Sequence, residues 1–383
     1  NNTSILAFKV GTKLDNYSFN IVTSHTDSPT FKVKENAEIE VKNKYTQLNT
    51  EGYGGMLCAT WLDRPLSIAG RVLVSEGNSI VTKLLNIDRD LLMIPNVAIH
   101  MNRAANDGFK YNLQVDMLPL LSAGDDRQKD FKQIIADELG VKKEDILGHD
   151  LYLYNRMAPS IWGANEEFIS AGHLDDLQCG FASLKALLAG YNDESIDIMA
   201  CFDNEEVGSG TKQGADSTLL RDTLIRINNA LGKTEEDYHR ALASSFMLSA
   251  DNAHAVHPNH PEHTDATNCT YMNEGVVVKS HAGQKYTSDG VSMAVVKSLA
   301  SGADVPLQYF ANRSDKAGGS TLGNIAMAQA SMNAVDIGLP QLAMHSSYET
   351  AGIKDTYYAI SLMKALFDSH IQETSTHSLE IKR

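Results

Sequence analysis

Nothing constrains the fold of this chain more than the alternation of apolar runs and amphipathic stretches from residue 163 onward. The segment LDDLQCGFASLKALLAGY reads as a helix that stops at Gly190, and SIDIMACFDNEE reads as a buried strand. ADSTLLRDTLIRINNAL follows as a helix, SFMLSADNAHA as a strand running into polar residues, and SDGVSMAVVKSLASG as a helix. VPLQYFANR and LPQLAMHSSYE return to strand before a final helix over TYYAISLMKALFDSHIQET. Strands that alternate with helices build a mostly parallel sheet covered on both faces. The fold class expected is α/β, a mixed, mostly parallel sheet flanked by helices.

The stretch 33–162 has a different texture. AEIEVKNKY, LSIAGRVLV and NSIVTKLLNI alternate as antiparallel strands do, and DDRQKDFKQIIADELG reads as a helix stopped by Gly140. Ahead of them, SILAFKVG and SFNIVTSH read as two more strands. The expected division is therefore residues 1–32 plus 163–383 as one domain, interrupted by a strand-rich insertion at 33–162.

Composition narrows the partners. At 383 residues with 43% hydrophobic and 21% charged residues, the chain can bury a large core. A formal net charge of -15 supplies no basic field for phosphates, which argues against nucleic acid and anionic membranes as partners. Cys58, Cys179, Cys201 and Cys269 are scattered without C-x-x-C spacing, so the expected home is the reducing cytoplasm. No apolar run of bilayer length and no charged-then-apolar leader is seen. The chain opens on Asn1 rather than methionine and reads at once as strand, so the natural start is expected upstream.

Glu205 and Glu206 stand side by side where the apolar run of Ile196, Ile198, Met199 and Ala200 ends. On a continuing strand their side chains would point to opposite faces. If the chain instead turns at Gly208 and Gly210, both carboxylates converge on one pocket at the sheet's C-terminal edge. Other polar residues share that address: His25 and Asp27 after FNIVTS, Asp251 after SFMLSA, and His345 after LPQLAM. His25 and His345 with Asp175, Glu206 and Asp251 make a nitrogen and oxygen set suited to zinc or a related divalent ion. Five ligands around two ions require one to be shared, and Asp175, at a turn opening a helix, is the candidate bridge. Glu205, beside the metals but not bound to them, is then placed to take a proton from a metal-activated water and return it to a leaving amine.

Each residue also has an ordinary structural use. A histidine at a strand end can be a hydrogen-bonded core residue, and Asp175 can cap the helix that follows it. Asp251 and His254 in DNAHAVHPNH can belong to a loop rich in turn formers. Asp27 either packs locally or accepts the imidazole N–H of His25. Their joint placement favours a metal site.

The same residues lie in blocks that resemble the aspartyl aminopeptidases, a family of dinuclear zinc exopeptidases. The blocks are SHTDSP at 24–29, YGGMLCATWLDRPLSIAGRV at 53–72, DNEEVGS at 203–209, SADNAHAVHPN at 249–259, NRSDKAGGSTLG at 312–323 and AMHS at 343–346. They follow the family's order over almost the whole chain. The resemblance implies a catalytic domain of the zinc exopeptidase type, with the insertion at 33–162 as a dimerisation domain. It implies two zinc ions per subunit: His25 and Asp251 each hold one, Asp175 bridges, and Glu206 and His345 complete the second. Glu205 would be the general base and Asp27 the residue orienting His25. His100 in NVAIHMNR matches a histidine that reaches into a neighbouring subunit's active site, and His254, Lys279 and Tyr286 match positions lining the substrate pocket. A homo-oligomer is implied as well, a dodecamer built from dimers and open only to short peptides.

Two places depart from the family's pattern. His173 and Asp176 flank Leu174 and Asp175 where the family often has arginine and asparagine, so either Asp175 or Asp176 can bridge and His173 is a spare ligand. The SSYETAG that follows His345 also differs, which bears on substrate preference rather than on reaction type. The expected activity is release of single N-terminal residues from short peptides with a free N-terminus. A preference for Asp or Glu follows from the resemblance and from Lys279 as a partner for the substrate carboxylate. The alternatives are an aminopeptidase preferring neutral or apolar first residues, a dinuclear carboxypeptidase or deacylase, and, in another class, a non-catalytic metal-binding scaffold or cargo shell. Cobalt and manganese tolerate the same ligands as zinc.

Overall fold

Seven strands form the main sheet, in the order Ile5–Val10, Ser195–Phe202, Ser18–His25, Phe246–Ala250, Asn333–Gly338, Val276–Lys279, Leu307–Phe310. The central neighbours run parallel, while Ile5–Val10 pairs antiparallel with Ser195–Phe202, and Val276–Lys279 antiparallel with Asn333–Gly338. The fold is thus α/β with a mixed, mostly parallel sheet. This computed structural model describes residues 2–124, 130–375 and 378–383. The chain divides into two units, one of Asn1–Ser28, Ser160–Met344 and Glu349–Arg383, the other of Pro29–Pro159 and His345–Tyr348.

In the first unit, Ser18–His25, Ser195–Phe202, Phe246–Ala250 and Val276–Lys279 are buried along their whole length, as strands covered on both faces must be. Alternation along each strand feeds two cores. Val22 and Leu248 pack with Leu187, Leu299, Leu362 and Phe367. Their neighbours Ile21 and Met247 pack on the opposite face with Phe19, Leu220, Leu224, Tyr238 and Leu322. Each such fully buried side chain contributes roughly 1.5–3 kcal/mol by leaving water. A second sheet of five short strands runs in the order Ala253–His254, Pro340–Leu342, Glu349–Gly352, Phe168–Ala171, Ser160–Trp162.

The expected long final helix stops early, at Phe367, and His370–Ser375 pairs antiparallel with Ser378–Lys382. The reason is tertiary: the buried Asn20 side chain donates to the carbonyls of Leu366 and Ser369, at 3.2 and 2.8 Å, and so caps the helix from a distant strand. LPQLAMHSSYE likewise is broken after Pro340–Leu342, where Ala343 and His345 take left-handed φ of 55° and 67°, and strand resumes only at its last residue, Glu349.

The second unit is a six-stranded antiparallel sheet in the order Ser79–Asn86, Leu66–Glu76, Ile146–Asn155, Thr30–Val41, Tyr45–Tyr53, Leu120–Ala123. Its core joins Phe31, Trp61, Ile68, Val72 and Leu151 to Ile135 of the helix Phe131–Leu139. Asp130 caps that helix by accepting the Gln133 N–H at 2.6 Å, and Gly140 ends it at φ 64°. The start of the expected helix, 125–129, lies outside the described residues. Among the described residues no helix is long and apolar enough to cross a membrane.

Candidate metal centre

At the C-terminal ends of the buried strands, the chain turns sharply through residues with positive φ. Asn204, at φ 62°, starts a single 3-10 turn over Glu205–Val207. His173, also at φ 62°, precedes the helix Leu174–Ala189. The adjacent glutamates are therefore on a turn rather than a strand. That turn is held by Asp27, whose Oδ1 accepts the Glu205 N–H and whose Oδ2 accepts the Glu206 N–H, both at 3.1 Å.

His25 is only 1% exposed. Its Nδ1 lies 3.0 Å from the Asp27 carbonyl and 3.5 Å from Asp27 Oδ1, and its Nε2 lies 3.6 Å from Asp175 Oδ1. The nearer partner of His25 Nδ1 is thus the Asp27 backbone carbonyl, with the carboxylate behind it. The His25 amide donates to Asp176 Oδ2 at 3.1 Å. Asp175 is fixed by its N–H to Glu349 Oε2, 2.9 Å, and by Ser28 Oγ donating to its carbonyl, 2.8 Å. Asn252 organises the next layer, donating to Leu174 O, Gln178 Oε1 and Gln341 Oε1. The strand ending at Gly338 crosses so close to the Asp251 carbonyl that no Cβ fits at that glycine.

Donor atoms of His25, Asp175, Asp176 and Asp251 all lie within 4.8 Å of one another, and so do those of His25, Glu205 and Glu206. The electrostatics are unfavourable for protein alone. Burial pushes the Asp176 carboxyl far above the usual range, and the charges of Asp251 and Asp175 add to it against His25. Burial also raises Asp251, against the pull of Lys279. Glu205 is pushed up to about 7, first by burial and then by the negative charge of Asp251. Burial works to lower His25, but its contacts with Asp175 and Asp27 hold it well above its ordinary value. Asp176 Oδ1 is buried with no hydrogen-bond partner among the described residues. Buried carboxylates crowded around an imidazole, one with an unsatisfied oxygen, are a donor set that a divalent cation fits.

Lys279 is 3% exposed. Its Nζ donates to the Asn252 carbonyl at 2.9 Å, lies 3.6 Å from Asp251 Oδ1, and sits 5.6 Å from the centre of the Tyr286 ring. The ammonium anticipated for a substrate carboxylate thus already faces a protein carboxylate. Tyr286 is buried and His254 exposed, its ring 6.0 Å from that of Phe310. His100 and His345 fall in the second unit, where His100 occupies an exposed turn and His345 Nδ1 lies 2.9 Å from the Gly55 carbonyl. His173 is left largely buried and lowered by that burial, with no part in either donor group. Glu349 and Asn252 were not anticipated. Asn252 stands beside Asp251 in SADN, but nothing in SSYETAG marks Glu349 as a support for Asp175.

The model of the aminopeptidase I zinc metalloproteases (M18) matches residues 1–367. A probable M18 family aminopeptidase 2 of Clostridium acetobutylicum is 49% identical over 364 residues, covering 94% of this chain and 84% of that relative. The Ape4 and Nbr1 complex solved by cryo-EM is similar at a TM-score of 0.91 and 34% identity, covering 95% of this chain and 74% of that one. The S. cerevisiae mApe1 dodecamer is similar at a TM-score of 0.80 and 27% identity, covering 96% and 83%.

Proposed function

The chain belongs to the aminopeptidase I zinc metalloprotease (M18) family and is a metal-dependent aminopeptidase; from that premise we propose that its work is done at a two-metal centre held by His25, Asp175, Glu206, Asp251 and His345. The observation that carries this reading is the crowding of His25, Asp175, Asp176 and Asp251 donors within 4.8 Å, in a buried place that disfavours their charges. Asp175 would be the ligand shared by the two ions, since Asp176 already spends one oxygen, Oδ2, on the His25 amide and has only Oδ1 to offer. When bound there, two divalent ions, zinc or in its place cobalt or manganese, would supply Lewis acidity toward the scissile carbonyl and the attacking water.

The remaining steps belong to the chain's own residues. Glu205 takes the proton of the attacking water on its carboxylate and delivers it to the nitrogen of the leaving amine. Asp27 aims the turn that carries Glu205 and Glu206, and its carbonyl and carboxylate orient the His25 ring. Tyr286 donates to the oxyanion, and His254 and Lys279 line the pocket, with His100 supplied by a neighbouring subunit.

Asp or Glu is the proposed first residue, a reading that rests on the motif resemblance and on the positive charge of Lys279. One observation favours neutral or apolar residues instead: the Lys279 ammonium is buried against Asp251. The proposed assembly is a homo-oligomer, a dodecamer built from dimers that are joined through the 33–162 insertion; the mApe1 neighbour is itself a dodecamer. The edge strand Ser79–Asn86 supports this, presenting Ile80 and Leu84 at 67% and 83% exposure. Four free cysteines fit a cytoplasmic site of action.

Initial rates on matched short peptides beginning with Asp, Glu, Leu or Lys, with N-acetylated controls, test the proposal on zinc-loaded protein. Cleavage confined to free-amine peptides is expected, fastest with Asp or Glu. A faster Leu peptide makes the preference neutral. Cleavage of acetylated peptides points to a deacylase or carboxypeptidase, and no cleavage with metal bound points to a scaffold.

A further inference from the structure

Histidines recur at every third position over HAVHPNHPEH, as His254, His257, His260 and His263. The backbone there is wound in successive three-residue turns, with the His260 N–H on His257 O at 3.0 Å and the His263 N–H on His260 O at 3.1 Å. Residues three apart in such turns eclipse one another. The His260 and His263 rings accordingly stack, 5.2 Å between centres and 11° from parallel. Glu262 reaches both: its Oε1 lies 3.1 Å from His260 Nδ1 and 3.7 Å from His263 Nε2. All three donor atoms fall within 4.8 Å of one another.

Nitrogen and oxygen ligands held at about 2.0–2.2 Å around a tetrahedral ion stand roughly 3.3 Å apart. The Glu262 oxygen already stands near that distance from one nitrogen of each imidazole, and all three donors lie within 4.8 Å of one another. The turn is fixed by groups other than the donors, since the Arg313 guanidinium donates to the Glu262 carbonyl and Thr264 Oγ1 donates to Pro261 O at 2.8 Å. The three side chains are 57–64% exposed, so further coordination positions face water.

We propose that His260, Glu262 and His263 form a surface site for one transition-metal ion, distinct from the metal centre and completed by water. Two imidazoles with one carboxylate select zinc, nickel or copper over magnesium and calcium.

The test uses zinc-loaded full-length protein freed of excess metal. Nickel(II) is titrated calorimetrically at pH 7.5 into wild type and into H260A/H263A, with metal per subunit measured before and after. Wild type should take up one equivalent of nickel without releasing zinc, and H260A/H263A none, with peptide hydrolysis before nickel addition the same in both. E262Q should bind more weakly than wild type. No nickel uptake by wild type, or equal uptake by wild type and H260A/H263A, overturns the site.

Discussion

The Asp27 carboxylate takes the backbone N–H of Glu205 on one oxygen and that of Glu206 on the other, each at 3.1 Å. One side chain from the end of the Ser18–His25 strand thus sets the position of two others at the end of Ser195–Phe202. The same residue faces the His25 ring. D27N keeps the size but places an amide N–H where an acceptor is needed. It should lower metal affinity or turnover by about 10–100-fold, the usual effect of removing a support for metal ligands. Metal titration monitored by activity checks this. A D27N protein with normal metal affinity and normal turnover would show that the clasp is dispensable.

E205Q separates the two adjacent glutamates by role. As base rather than ligand, Glu205 should be replaceable without loss of bound metal, while turnover falls by about 10²–10⁴-fold. Metal content and initial rate are measured on the same preparation. Loss of a metal equivalent in E205Q would move Glu205 into the ligand set.

Lys279 offers a sharper discrimination. If its ammonium serves chiefly to balance Asp251, K279M leaves that buried carboxylate without a cation in the metal-free protein and should cost it about 3–5 kcal/mol of stability. Activity should then fall to the same degree on Asp, Glu and Leu peptides. A fall confined to acidic first residues, with stability unchanged, would instead make Lys279 the substrate's partner. Denaturant unfolding and the three rates decide between them.

The sheet was legible because its strands are buried on both faces and several read as largely apolar runs, such as SIDIMACF. The helix Glu235–Ala243 carries its own signal, a capping box of Thr234 and Asp237, yet its mostly polar first turn hides it from a search for apolar stripes. The stop at Phe367 could not be read locally, because Asn20, far away in sequence, supplies the cap. In the centre, residue types and strand ends pointed to His25, Asp175, Glu206 and Asp251. What those clues could not carry is the supporting layer: Glu349 on the Asp175 amide and Asn252 on the Leu174 carbonyl are ordinary polar residues until the chain is folded.

Asp197 gives a stability prediction independent of the metals. Burial raises its carboxyl from 3.8 to about 7, although Asn20 Nδ2 and Ser195 Oγ both donate to Oδ1 at 3.1 Å. An acid whose pKa is raised on folding binds its proton more tightly in the native state. Its contribution is therefore full below the unfolded value near 4 and is lost as pH rises through about 7. The loss amounts to roughly 4 kcal/mol at most by pH 8. Asn at this position keeps an acceptor for both bonds and mimics the protonated acid. D197N should thus match wild type near pH 4, pull ahead of it progressively from there to about pH 7, and exceed it at pH 8, with a flatter pH profile of the unfolding midpoint. Equal slopes for the two proteins between pH 5 and 8 would mean that Asp197 is not the group that titrates.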